Sequence, residues 1–206
     1  MALGHEGDTL PLILASGSTA RARMLRDAGV AVETRPAPVD EAAVRQAMEA
    51  EGAAPRDIAD MLAEIKARRV AGRAPDRLVL GADQALILEG EMLAKAATPD
   101  EARVQLRRLR GRVHTLHSAA VIFEAGEPVW RQIGSARLTM RAFSDAFLER
   151  YLEGEGAAIT QTLGCYRLEA GGAQLFSRIE GDHFSILGLP LLAVLEFLRS
   201  RGVCAT

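Results

Sequence analysis

The chain has 206 residues, a hydrophobic fraction of 49% and a formal net charge of −2 at pH 7, which fits one globular domain whose core needs no disulfide or metal staple. The slightly acidic balance argues against general affinity for nucleic acid or anionic lipid, both of which need a basic surface. Cys165 and Cys204 match no zinc or haem spacing and read as free thiols, and no apolar run is long enough to cross a bilayer, so the expectation is a soluble, cytoplasmic protein.

Residues 1–9 carry His5, Glu6 and Asp8 without an apolar core and read as a flexible tail rather than a targeting signal. Leu10 to Ala15 is an apolar run expected to form a strand, followed by the small-residue turn Ser16-Gly17-Ser18. A helix should follow, with Ala20, Met24, Leu25 and Ala28 on one face and Gly29 ending it. Val30 to Thr34 alternates like a strand, and Asp40 to Glu51 has a helical pattern. Arg56 to Gly72 predicts an amphipathic helix with Ile58, Met61, Leu62, Ile65 and Ala67 in its apolar set. Leu78 to Leu80 and Ala85 to Leu88 predict two short strands around Gly81-Ala82-Asp83-Gln84. Glu89-Gly90 then makes a hairpin turn into Met92-Leu93.

Thr98, Pro99 and Glu101 form a capping signature for a helix that runs to about Arg110, where Gly111 stops it. Val113 to Phe123 and Pro128 to Met140 read as long strands joined by a turn at Ala125-Gly126. Ser144 caps a further helix ending near Gly154. The remainder predicts two short strands among glycine turns and a closing helix from Leu189 to Arg201, with Pro190 in its first turn. Strands alternate with helices except in the central hairpin, which indicates an α/β fold with a mixed sheet.

Five places could carry chemistry. Ser16-Gly17-Ser18 with Arg21 puts backbone N–H groups, two hydroxyls and a guanidinium at a helix start, as an anion site would, although Ser18 reads equally as a helix cap. Asp83 directly follows an apolar strand, where an acid is costly unless it is paired or binds metal or substrate; alternatively it is a turn aspartate. Asp40-Glu41 opens one helix and Lys66 lies on the polar side of another, while Lys95 follows the strand at Met92-Leu93. Each is ordinary alone; together they offer acids for Mg²⁺ and cations for phosphate oxygens. His114 and His117 stand at odd separation on one strand, face opposite ways and cannot share a metal.

Taken in order, these segments resemble the Maf family of nucleoside triphosphate pyrophosphatases. The resemblance rests on Leu12-Ile13-Leu14-Ala15-Ser16-Gly17-Ser18 with Arg21, Val39-Asp40-Glu41, Lys66-Ala67, Gly81-Ala82-Asp83-Gln84 and Gly90-Glu91-Met92-Leu93-Ala94-Lys95. It continues through Leu109-Arg110-Gly111-Arg112 with His114, Gly164-Cys165-Tyr166, Ile179-Glu180-Gly181-Asp182 and Leu187-Gly188-Leu189-Pro190, so that it spans about residues 10 to 202. No single motif is specific; their order and spacing are.

The resemblance implies one domain over residues 1–206 with an elongated mixed β-sheet flanked by helices. Two lobes would enclose a central cleft, as in the inosine triphosphate pyrophosphatase-like folds, and the protein would be a homodimer. It implies hydrolysis of a nucleoside triphosphate to monophosphate and pyrophosphate with a divalent cation, Mg²⁺ or Mn²⁺. By resemblance Asp83 is the general base, and Glu41, with Asp83 and also Asp40, holds the metal. Arg21, Lys66 and Lys95 neutralise the triphosphate, and Ser16 and Ser18 add hydrogen bonds.

The chain departs from the family at Thr19 and Ala20, where proline and arginine or tryptophan are usual, at Ala96 in place of proline, and at Gln161 in place of an aspartate. None of these removes the base or the cations. Gln84 and Glu169 resemble the branch that prefers 7-methylguanosine triphosphate, since a carboxylate accepts from guanine N1–H and N2–H₂ and favours the cationic methylated base. The alternatives are the branch that prefers dTTP or UTP, and a nucleotide-binding regulator of cell division without turnover. The joint presence of Asp83, Glu41, Lys66 and Lys95 favours the enzyme.

Overall fold

The computed structural model describes residues 10–204; the tail expected at residues 1–9 lies outside them. The elements run β1 (Leu12–Leu14), α1 (Thr19–Asp27), β2 (Val32–Thr34), α2 (Glu41–Ala50), α3 (Pro55–Ala71), β3 (Val79–Leu88), β4 (Glu91–Leu93) and α4 (Pro99–Leu109). They continue with β5 (Val113–Glu124), β6 (Glu127–Met140), α5 (Asp145–Glu155), β7 (Phe176–Gly181), α6 (His183–Ile186) and α7 (Leu191–Ser200). Among the described residues no helix is long and apolar enough to cross a membrane.

All seven strands join one sheet, ordered β2-β1-β3-β5-β6-β7, with β4 paired to β3. β1 runs parallel to β2 and β3, and the remaining pairings are antiparallel. That mixture follows from the connections. Helices return the chain in parallel between β1, β2 and β3, whereas β5 and β6 are joined by a two-residue turn that permits only antiparallel pairing. Ala125 and Gly126 in that turn have φ of 50° and 84°, and Glu89 and Gly90 before β4 have 52° and 87°, the left-handed pair that tight hairpins demand.

Alternation along the strands buries both faces. Val79 and Ala85 face α3 with Ile13, Ala119 and Val121. Leu80 and Ala82 face α1 and α7 with Leu14, Leu25, Ile122 and Val194. A separate cluster at the far end gathers Leu86, Leu88, Leu106, Leu116, Leu138 and Leu148 around α4 and α5. The expected α/β class, with lobes on either side of a cleft, is therefore what the chain forms.

Three expectations need correction. The two short strands placed around Gly81-Ala82-Asp83-Gln84 are one continuous ten-residue strand, β3. Glycine and aspartate are poor strand formers, but here Gly81 is required by close packing and Asp83 is paired, so neither breaks the strand. In the last part of the chain only β7 forms; the segment before it makes 3₁₀ turns at Gly156–Gln161 and Gly171–Leu175 instead of a second strand. Met61, assigned to the apolar face of its helix, is 39% exposed.

Candidate active site

The position of Lys66 is set by how closely α3 approaches β3. Ala59, Ala63 and Ala67 are fully buried on the sheet-facing side of α3. A Cβ on Gly81 would stand 2.0 Å from the Ala63 carbonyl oxygen and 2.7 Å from the Ala67 nitrogen. Only a glycine opposite alanines lets the helix axis come so near. Two residues along, Asp83 projects from the same face of β3, and Lys66, next to Ala67, reaches it. Lys66 Nζ lies 2.6 Å from Asp83 Oδ1 and 2.7 Å from Glu41 Oε1, joining α3, β3 and the first residue of α2 through one ammonium. Lys66 was expected on the polar side of its helix, yet it is only 7% exposed, as is Asp83.

Burial raises the Asp83 carboxyl above its ordinary range, against the pull of the Lys66 and Arg21 charges, while Glu41 adds to the rise. A carboxylate held in this way is a stronger base than a surface aspartate. It lies in mid-strand, not at the carboxyl end of one.

Arg21 supplies the second charged cluster. It projects from the first turn of α1 and is almost fully buried. Its Nε donates to Gly188 O at 2.8 Å, and its Nη1 donates to Ser16 Oγ and to Ala82 O, both at 3.0 Å. Nη2 makes no hydrogen bond among those described, so the guanidinium is fixed by three acceptors with one nitrogen to spare. Burial lowers its proton affinity and the charges of Asp83 and Glu41 oppose that effect. Gly188, with φ of +108°, brings its carbonyl against the guanidinium; a Cβ there would meet Arg21 Nε at 3.2 Å. Ser18 acts as the cap of α1, its Oγ accepting from Arg21 N at 3.4 Å, and Ser16 Oγ also accepts from Ser18 N at 3.3 Å.

These groups line a cleft of about 1230 Å³, whose wall also includes Gln84, Lys95, Gln161 and Glu169. Lys95 and Glu169 are exposed on the rim and make no ion pair among the described residues. Gln84, on the opposite face of β3 from Asp83, turns its amide nitrogen toward Ser118 Oγ, Ser185 O and Ile186 O at 2.9, 3.1 and 3.0 Å. Its donor is thereby committed to holding α6 against the sheet. The site residues expected from sequence, Asp40 excepted, thus reach one cleft, where Lys66, Asp83 and Glu41 form one bonded group and Arg21, Ser16 and Ser18 another.

Asp40 serves another purpose: its Oδ1 caps α2 by accepting from Ala43 N at 3.0 Å. Among the described residues no group of three or more His, Cys, Asp and Glu converges on a metal position. Glu41 and Asp83, which meet at the Lys66 ammonium, are a pair of carboxylates that could hold a cation. Hard oxygens in that number suit Mg²⁺ or Mn²⁺ completed by phosphate oxygens and water.

Arg45 escaped the sequence reading. It lines the cleft, pairs with Glu49 at 2.9 Å and donates through Nη2 to Met92 O, tying α2 to β4. An arginine in an exposed helix gives no signal of such a role. His114 and His117 do face opposite ways, to Tyr166 OH and Ser135 Oγ, each at 2.8 Å.

A family model described as Maf-like protein matches residues 11–201 of the chain. The chain is 53% identical over 194 residues to "Nucleoside triphosphate pyrophosphatase 1" of Jannaschia sp. (strain CCS1), covering 94% of this chain and 98% of that protein. It is 52% identical over 192 residues to "Nucleoside triphosphate pyrophosphatase" of Caulobacter vibrioides, covering 93% and 96%. A protein of the same name from Ruegeria pomeroyi is 49% identical over 198 residues, covering 96% and 100%.

Proposed function

The chain belongs to the family of Maf-like proteins, and from that premise we propose that it hydrolyses nucleoside triphosphates between the α- and β-phosphates, giving the monophosphate and pyrophosphate. The observation that carries this reading is the Lys66 ammonium bridging Asp83 and Glu41 beside the locked guanidinium of Arg21. Two buried cations suit a polyanion, and a buried carboxylate suits proton transfer.

Asp83 accepts the proton of the attacking water as its oxygen adds to phosphorus; the anhydride bond breaks and pyrophosphate leaves. Arg21 Nη2, Lys66 and Lys95 offset the charge on the phosphate oxygens, which grows on the departing group. Ser16 keeps the guanidinium oriented. Glu41 and Asp83 would hold the divalent cation, which supplies charge neutralisation and polarises the phosphates when bound. Dependence on Mg²⁺ or Mn²⁺ and assembly as a cytoplasmic homodimer belong to the same reading.

The finer reading is a preference for 7-methylguanosine triphosphate. Glu169 supports it: an exposed carboxylate on the cleft rim, able to accept two donors of guanine and to favour a cationic base. Gln84 contributes less, because its amide nitrogen is engaged by α6.

The test is pyrophosphate release with Mg²⁺ or Mn²⁺ across ordinary and modified triphosphates, beside an Asp83→Asn control. Turnover should be fastest with the methylated nucleotide and fall about 10²–10⁴-fold in the control, with binding retained. Preferential release from dTTP or UTP would discard the base preference and keep the reaction. Binding without release from any nucleotide would discard the reaction.

A further inference from the structure

Lys95 is exposed and follows the three-residue strand β4, so nothing in its own segment holds it toward the cleft. What does hold the segment lies beneath it. Gln105, buried on α4, donates from Nε2 to Ala94 O at 3.0 Å. Its Oε1 accepts from the Cys165 thiol at 2.9 Å. The backbone N–H of Ala96 in turn faces the Cys165 sulfur. The residue before Lys95 is therefore anchored to Gln105, and Gln105 is bonded in turn to Cys165.

Cys165 begins the other wall of the cleft. It is fully buried, and its backbone sits at φ of +60°, a left-handed conformation that a side chain disfavours. It is kept there by Gln105 and by the Tyr151 hydroxyl, which donates to Cys165 O at 3.3 Å. Immediately after it come Tyr166 and, three residues further, Glu169, both lining the cleft. Burial pushes the thiol up to about 12, so at neutral pH it remains the hydrogen donor that Gln105 Oε1 needs.

We infer that Gln105 is a positioning residue of the active site: by bonding Ala94 and Cys165 at once, it makes the Lys95 segment and the Tyr166–Glu169 loop one rigid wall and aims Lys95 at the triphosphate. The inference rests on Lys95 being a phosphate contact. Gln105 touches no substrate; it acts through the backbone carbonyl just before Lys95. A glutamine suits the task because its amide donates and accepts at the same time. Methionine, of similar length, would fill the space and make neither bond.

The experiment is a double-mutant cycle on kcat/KM with Lys95→Ala and Gln105→Met. In the wild-type background Lys95→Ala should cost about 100-fold, as loss of a charge-assisted phosphate contact does. In the Gln105→Met background it should cost less than about 10-fold, because Lys95 is no longer aimed, and Gln105→Met alone should raise KM more than it lowers kcat. A merely structural role would lower the melting temperature and the active fraction but leave the cost of Lys95→Ala unchanged in both backgrounds. That additive outcome overturns the inference about Gln105 and spares Lys95. If Lys95→Ala costs nothing in the wild-type background, the phosphate role of Lys95 falls and the inference falls with it. Should Gln105→Met fail to fold, Cys165→Ala and Cys165→Ser are read through the same cycle: serine retains a donor and should preserve most of the Lys95 factor, alanine should not.

Discussion

Asp83 owes its chemistry to its neighbours. A carboxylate on an ordinary strand would be solvated and weakly basic; here desolvation raises its proton affinity, and Lys66 at 2.6 Å limits the rise. The direction gives a prediction. Proton acceptance requires the ionised form, so turnover should fall as pH drops through a value above the ordinary aspartate range, and rise again as pH is restored. A rate that stays flat down to the range of a solvated aspartate would remove Asp83 from that role. Lys66→Met should carry the effect further: without its counter-charge, the acid limb of the profile should move to higher pH.

At the scale of elements, the decisive contact is α3 on β3. Gly81→Ala places a methyl group 2.0 Å from the Ala63 carbonyl oxygen, a backbone atom that cannot step aside alone. The variant should lose roughly 3 kcal/mol or more, lowering the melting temperature by about 6–12 °C. Pushing α3 outward also carries Lys66 away from Asp83, so activity should fall by more than the loss of folded protein explains. Wild-type activity and melting temperature would refute the packing argument.

The same contact explains what the sequence concealed. Periodicity marks α3 and the two apolar halves of β3 clearly, and the caps at Ser18, Thr98 and Ser144 accept from Arg21, Glu101 and Phe147 N–H groups as their spacing implies. It cannot show that Gly81 and Asp83 continue a strand, because what sustains the strand there is a helix whose contacting residues, Ala63, Lys66 and Ala67, lie 14 to 18 residues earlier in sequence. Nor does periodicity show Lys66 as buried, since a lysine beside Ala67 looks the same whether its partner is water or a carboxylate. Arg45 and Gln105 stayed hidden for a related reason: they act by bonding backbone carbonyls of another element, and such a bond leaves no pattern in the residues that accept it. The 3₁₀ turns replaced an expected strand where glycines and short apolar runs fit either conformation.

The molecule as a whole should be sensitive to mild acid through His114. Its ring is buried against Tyr166 and Phe176, bonded at Nε2 to Tyr166 OH, and its Nδ1 has no partner among the described residues. Burial lowers its pKa from 6.5 to about 4. Between those values the unfolded chain binds a proton that the folded chain refuses, so stability is fully present above pH 6.5 and declines as pH falls toward 4. The shift corresponds to about 3 kcal/mol. Chemical denaturation at a series of pH values should show this slope, and His114→Asn should remove most of it whatever it does to stability at pH 8. An unchanged slope would assign the acid sensitivity to other groups.

One thread runs through the whole chain and has a temporal meaning. Arg21 is fastened by Gly188, 167 residues further on, and Gln84 by Ser185 and Ile186, more than 100 residues further on. The early strands and α3 can meet while the chain is still being made, so Asp83 and Lys66 can pair before Gly188 is added. The guanidinium meets Ser16 Oγ and Ala82 O early, but its Gly188 acceptor only once that residue has left the ribosome. A nascent chain that stops short of Gly188 therefore carries the Lys66–Asp83 pair while Arg21 still lacks its third anchor.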